Sequence, residues 1–170
     1  RLITHEDLDV SVTVQHILEE EGIDIRLNAE CISARKQATS GIEVTLNCAE
    51  PSRSVPGSHL LLAAGRKPNT DDLGLEKAGV ETDARGYITV DDQLHTNVPG
   101  IFALGDCNGR GAFTHTSYND HEIVADNLLQ GAKRTVADRI MTYALFIDPA
   151  LGRVGMTESA VKASKRKALI

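Results

Sequence analysis

The sequence predicts an α/β fold, on three observations. Strand-length apolar runs alternate with stretches of helical periodicity along the 170 residues. The run "HLLLAAG", residues 59–65, is apolar on both faces, as a central parallel strand is. Forty-one per cent hydrophobic and 25% charged residues match the composition of ordinary α/β domains.

The elements follow in order. Val10, Val14, Ile17 and Leu18 form one apolar stripe over residues 7–21, and Gly22 closes it, which predicts an amphipathic helix. Ile23, Ile25 and Leu27 alternate, the pattern of a strand. A strand over residues 31–35 turns through "QATSG" into "IEVTL", where Ile42, Val44 and Leu46 alternate again; this is a hairpin with one wet face. The stretch "AEPSRSVPG" reads as a loop, and "HLLLAAG" as the central strand that Gly65 ends. Pro68, Gly74 and Gly79 allow at most a short helix in "RKPNTDDLGLEKAG". "ARG" turns into a strand over Tyr87–Val90, and Pro99 and Gly100 introduce another over Ile101–Leu104. From Thr114 to Gln130 the period is helical, with Ile123, Val124, Leu128 and Leu129 as the expected buried face and Gly131 as the stop. After a boundary near residue 135 come "YALF", "DPALGRVGM", and Thr157 as the N-cap of a short helix.

Several classes are disfavoured. A net charge of −6, with no basic cluster beyond the solvated "KASKRK", argues against nucleic acid as a partner. No apolar run approaches the roughly 18 residues of a membrane span, and no signal peptide opens the chain, so the expected location is the cytoplasm. The three cysteines form no close pair, which leaves Cys31, Cys48 and Cys107 as buried free thiols and offers no zinc site or local redox disulfide. His5, His16, His59, His95 and His121 have no ligand spacing, so no metal is expected. The first residue is Arg1 and the end, "KALI", is apolar and strand-like; both read as a piece of something longer.

There is no G-x-G-x-x-G, P-loop, G-x-S-x-G or H-E-x-x-H pattern, so a binding argument rests on "TNVPGIFALGDCNGRGAFTH". Asp106 follows a predicted strand, where open α/β sheets place ligands. A carboxylate there accepts hydrogen bonds from ribose or ribityl hydroxyls and repels phosphate. Gly105 lets backbone approach closely, and Gly109 and Gly111 let the chain turn back. The helix starting near Thr114 then aims its first amides at the same place. Taken alone, Asp106 is equally compatible with a simple loop cap.

Four ordered segments go further: "HLLLAAGRKPNT", "LGLEKAGV", "RGYITVDDQLHTNVPGIFALGD" and "YALFIDPALGRVGMTESAV". Together they resemble the second half of the pyridine nucleotide-disulfide oxidoreductases, a family of FAD-dependent enzymes including dihydrolipoamide dehydrogenase, glutathione reductase and mercuric reductase. "YALFIDPALGRVGMTE" leans toward the mercuric-reductase-like branch. The resemblance implies a partial FAD/NAD(P)-binding, Rossmann-like ββα three-layer fold, followed by the start of an α+β dimerisation domain. Residues 1–65 would be the later half of the NAD(P)-binding domain, 66–135 the C-terminal part of the FAD-binding domain, and 136–170 the start of the interface domain.

It also implies a site. Gly105 and Asp106 would lie at the ribityl chain of FAD, with Phe113, Thr114 and His115 at the helix start facing the flavin pyrimidine ring. Gly65 and the backbone of Ala144 would lie against NAD(P)H. His115 contributes its amide rather than a proton, and Cys107 has no partner cysteine, so no catalytic side chain is expected here. The implied parent is a homodimeric enzyme that passes a hydride from NAD(P)H to FAD and electrons to a disulfide, a metal ion or a similar small acceptor; this segment alone would be inactive. A flavin-dependent NADH oxidase lacking the redox disulfide, and a non-catalytic Rossmann-like dimerisation module, are the alternatives.

Overall fold

Leu8–Glu20 form helix α1, as the apolar stripe predicts: Val14 is buried, Val10, Ile17 and Leu18 are half-buried, and Gly22 ends the helix at φ 85°. The computed structural model describes residues 1–38, 40–47 and 54–169. Contacts divide the chain into two units, one of Arg1–Ala63 with Met141–Ile170 and one of Ala64–Ile140.

In the first unit, β1 (Cys31–Lys36) and β2 (Ile42–Leu46) make the expected antiparallel hairpin, with Ala34 opposite Val44 and Arg35 opposite Glu43. A third strand, β3 (Ser54–Gly57), pairs antiparallel with β2 where the sequence reads as loop. Its Pro56 is tolerated because β3 is an edge strand, which spares proline a ladder bond. The Arg35 guanidinium donates to Glu43 at 2.9 and 3.0 Å, and the Ser54 hydroxyl donates to the same carboxylate, tying the three strands side by side.

Two predicted strands do not form. Ile23–Leu27 pairs with no strand, with Ile23 exposed and Leu27 in a turn, and residues 59–65 leave Leu61 and Leu62 at 86% and 80% exposure. Their side-chain patterns are those of strands, but a strand exists only where a neighbouring strand takes up its N–H and C=O groups, and no described strand pairs with either; the Ile23 N–H instead donates to Leu18 O at the end of α1, at 3.1 Å. The apolar ending likewise forms no strand over 167–169, and Ile170 lies outside the described residues. So does Cys48, and nothing is described of the Cys31 side chain; Cys107 is a free, half-buried thiol.

The same unit holds the antiparallel pair β4 (Thr142–Leu145) and β5 (Leu151–Val154), together with a short helix over Glu158–Ala163. Thr157 caps that helix as expected, its hydroxyl accepting from the Ala160 N–H at 3.2 Å. Lys162 to Leu169 are exposed, as the charged tail predicts. Two side chains just before α1 bind this region across the sequence. Glu6, which is buried, accepts from Arg153 at 2.8 Å, and the Asp7 carboxylate accepts from the Ser159 hydroxyl and, at 3.2 Å, the Ser159 amide.

The Ser159 hydroxyl bond, with help from nearby amides and Lys162, holds the Asp7 carboxyl below its ordinary value of 3.8. The folded protein therefore protonates Asp7 at lower pH than the unfolded chain, so this contribution is full above the unfolded value and fades as pH falls through the folded one. Asp7→Asn is expected to lower Tm at about pH 6 and to converge with wild type as the pH falls through the lowered pKa of the folded carboxyl. A Tm difference that stays constant into acid would count against this linkage.

The second unit is built on Val80, Ile88, Val90, Leu94, Ala103, Ile123 and Val124. Helix α2 (Leu75–Ala78) is the short helix expected there, and α3 (Thr114–Gln130) has the predicted bounds, closing at Gly131 with φ 65°. The expected strands Tyr87–Val90 and Ile101–Leu104 shrink to single bridges, Thr82 to Ile88 and His95 to Phe102. Positive φ values at Gly86, Leu94, Gly100 and Gly105 flank the two segments and turn the chain at their ends, and each segment makes isolated bonds, such as Ala103 N–H to Leu94 O at 3.2 Å, instead of a ladder. The buried face of α3 is also shifted. Ile123 and Val124 are buried, but Leu128 and Leu129 are 60% and 83% exposed; the buried stripe starts earlier, at Thr116 and Asp120. It follows the i, i+4, i+7, i+8 spacing that keeps residues on one helix face.

Candidate functional site

The Phe102–Leu104 segment ends at Gly105, whose φ of 77° starts a 3₁₀ turn, Gly105–Asn108. The turn swings Asp106 outward, leaving its side chain 57% exposed on a cavity of about 600 Å³. Asp106, Cys107, Gly109, Gly111 and Ala112 line it together with Arg66, Lys67, Pro68, Asn69 and Tyr87. All belong to the Ala64–Ile140 unit. Gly109 turns the chain at φ 69° and a Cβ there would lie 3.1 Å from the Tyr87 ring; Gly111 is required by crowding alone, since a Cβ on it would lie 2.8 Å from Thr116 Oγ1.

Opposite charges meet in the cavity lining. Arg66 Nη1 is 3.7 Å from Asp106 Oδ2, with the Arg66 side chain 77% exposed. An ion pair this open contributes little stability, so both groups are available to a polar ligand. Asp106 can accept from hydroxyls, while Arg66 and the neighbouring Lys67, itself paired with Asp71, attract phosphate. That donor set suits the sugar and diphosphate portion of a dinucleotide.

Cys107 does different work. Its thiol donates to Leu104 O at 3.2 Å, and burial, with the Asp120 and Asp106 charges, pushes its pKa above the ordinary range. It is held protonated and is a poor nucleophile.

The other expected site residues are distributed as follows. Phe113, Thr114 and His115 are exposed and do not line the cavity; they begin α3 directly after Gly111 and Ala112, which do. The first bonds inside this helix start run from the Thr116 and Ser117 amides to Phe113 O, both 3.0 Å, so Thr114 and His115 occupy the two positions whose N–H groups precede the helical ladder. The Phe113 and His115 rings stack at 5.2 Å. Gly65, at φ 106°, immediately precedes Arg66. Ala144 lies in β4 opposite Gly152, in the first unit.

Arg66, Lys67 and Tyr87 are among the lining residues that reading for Asp106 alone does not find. The basic pair after the apolar run is the available signal for two of them; Tyr87 has none.

The sequence profile of the pyridine nucleotide-disulphide oxidoreductases matches residues 1–120, and the chain belongs to this family. Its members bind FAD and use NAD(P)H. The mercuric reductase of Streptomyces lividans is 36% identical over 159 residues, covering 94% of this chain and 33% of that protein. The probable pyridine nucleotide-disulfide oxidoreductase RclA of Escherichia coli K12 is 39% identical over 165 residues, 95% of this chain and 36% of the relative. The chain thus spans about a third of the length of these relatives. Among solved structures, the HOCl-induced flavoprotein disulfide reductase RclA from E. coli superposes with a TM-score of 0.88 at 36% identity, over 98% of this chain and 38% of that one. LpdA from Mycobacterium tuberculosis gives 0.82 at 30% identity, over 94% and 34%. The fold is accordingly part of the FAD/NAD(P)-binding α/β architecture. Among the described residues no helix is long and apolar enough to cross a membrane, and no group of three His, Cys, Asp or Glu side chains is arranged to hold a metal.

Proposed function

We propose that this chain forms one wall of the FAD site in a flavoprotein oxidoreductase, acting as the flavin-side segment of an enzyme that uses NAD(P)H to reduce a disulfide, a metal ion or a similar acceptor. The observation that carries the reading is Asp106, an open carboxylate at the end of a core segment, paired with Arg66 in the lining of a cavity that also includes Gly109 and Gly111. When bound, FAD supplies the hydride-accepting and electron-passing chemistry. Asp106 holds the ribityl hydroxyls, Gly105, Gly109 and Gly111 keep the backbone thin beside them, and Arg66 and Lys67 balance the diphosphate. The Thr114 and His115 N–H groups, at the positive end of α3, favour negative charge on the pyrimidine edge of the ring. Gly65 and Ala144 face NAD(P)H.

In this reading residues 1–65 belong to the NAD(P)-binding domain, 66–135 to the FAD-binding domain and 136–170 to the interface domain of a homodimer. The exposed Phe146 and Val154, at 93% and 73%, support an apolar partner surface on the β4–β5 hairpin. The mercuric reductase and the flavoprotein disulfide reductase RclA favour a metal ion or a disulfide as acceptor; the cytoplasm is our proposed location for the enzyme.

Asp106→Ala in the full-length protein tests the assignment by titration of apoprotein with FAD. Loss of hydrogen bonds to a charged group is expected to raise the FAD Kd by about 10- to 100-fold. Unchanged affinity and flavin content would remove Asp106 from the site.

A further inference from the structure

The best-buried carboxylate of the second unit lies behind the cofactor cavity rather than in it. Asp120, 2% exposed, sits on the buried stripe of α3 between Thr116 and Ile123, where the spacing calls for an apolar side chain. A charge buried there is costly, and apolar residues of similar size often replace such pairs with no loss of stability, so packing alone does not account for it. What Asp120 bonds does. Its Oδ2 accepts the Gly105 N–H at 2.9 Å and the Asn108 side-chain amide at 2.9 Å, and its Oδ1 is ion-paired with the buried Arg139 guanidinium. Arg139 is held in turn by Asn119 Oδ1 at 2.8 Å. Asn108, also buried, donates to Ala103 O at 3.0 Å and accepts the Arg110 N–H at 2.8 Å.

Gly105 and Asn108 are the two ends of the turn that carries Asp106. Both ends converge on a single oxygen of Asp120, while Asp106 faces the cavity. We propose that Asp120, braced by Arg139, is a positioning residue that fixes the Gly105–Asn108 turn so that the Asp106 carboxylate meets the hydroxyls of the cofactor. This rests on the reading that Asp106 holds FAD.

The test is a double-mutant cycle on FAD affinity in the full-length protein, using Asp120→Asn and Asp106→Ala singly and together. Asp120→Asn preserves shape but removes the charge that orders Arg139 and presents an amide group to donors. If Asp120 acts through Asp106, Asp120→Asn raises the FAD Kd at least about 5-fold when Asp106 is present and less than about 2-fold in the Asp106→Ala background. A general structural defect cannot give that pattern, because it weakens both backgrounds equally. Equal weakening, or no weakening, overturns the proposal and leaves the site reading intact. Wild-type affinity in Asp106→Ala alone overturns the site reading and this inference with it. Should Asp120→Asn not fold, Asn108→Ala, which frees the other end of the turn, is put through the same cycle and judged by the same outcomes.

Discussion

Replacing Arg139 with leucine is expected to lower unfolding stability by about 3–5 kcal/mol, because it strands the Asp120 carboxylate without its counter-ion in the core. Both side chains are nearly inaccessible, 8% and 2% exposed. Water cannot take over the solvation that the guanidinium provides, so the penalty is that of an unpaired buried charge rather than of one lost hydrogen bond. Arg134 supplies the contrast. It lies 2.6 Å from Asp126, but the two side chains are 43% and 30% exposed, so solvent screens the pair. Arg134→Leu is expected to destabilise far less than Arg139→Leu. Removing both buried charges, by Asp120→Leu with Arg139→Met, should recover much of the loss while leaving the Gly105 amide without its acceptor. Urea unfolding of wild type and the three variants checks the order. Equal destabilisation by Arg139→Leu and Arg134→Leu would show that proximity, not burial, sets the energy.

What could be read from the chain and what could not follows from how far each signal reaches. The bounds of α3 are legible because its limits are local, and so are Thr157 as a cap and the β1–β2 hairpin. Strands depend on partners. The alternation of Ile23, Ile25 and Leu27 specifies faces but not a neighbouring backbone, and the apolar 59–65 run has none among the described residues. The converse holds for β3, where Pro56 hides a strand that only an edge position permits. The site divides the same way. Asp106 stands out because an acid directly after an apolar segment is conspicuous, whereas Tyr87 reaches the same cavity from well upstream with no local mark. Asp120 is obscured by its charge, since an acid on a helix normally faces water; its signal is the spacing to Ile123 and Val124.

Gly111→Ala should damage stability and cofactor binding together, through one methyl group. The new Cβ would lie 2.8 Å from Oγ1, 2.9 Å from Cβ and 3.0 Å from Cγ2 of Thr116. Such contacts can be relieved only if Thr116 moves, and it is poorly placed to do so. It is buried, its hydroxyl donates to Phe113 O at 2.7 Å, and the same Oγ1 accepts the Phe113 N–H at 3.2 Å. Relief therefore comes from backbone displacement in residues 111–113, the link between the cavity wall and the start of α3. The expected cost is about 1–3 kcal/mol of stability, from overpacking. FAD affinity should fall with it, since Gly111 lines the cavity and the Thr114 and His115 amides follow directly. Gly79→Ala separates crowding from backbone strain. Gly79 sits at φ 73° with nothing within 4 Å of the place a Cβ would occupy, so the alanine variant loses about 1–2 kcal/mol through conformation alone and leaves FAD binding unchanged. Thermal unfolding with FAD titration of the two variants decides the matter: if Gly111→Ala binds FAD as tightly as Gly79→Ala does, the 111–113 link does not shape the cofactor site.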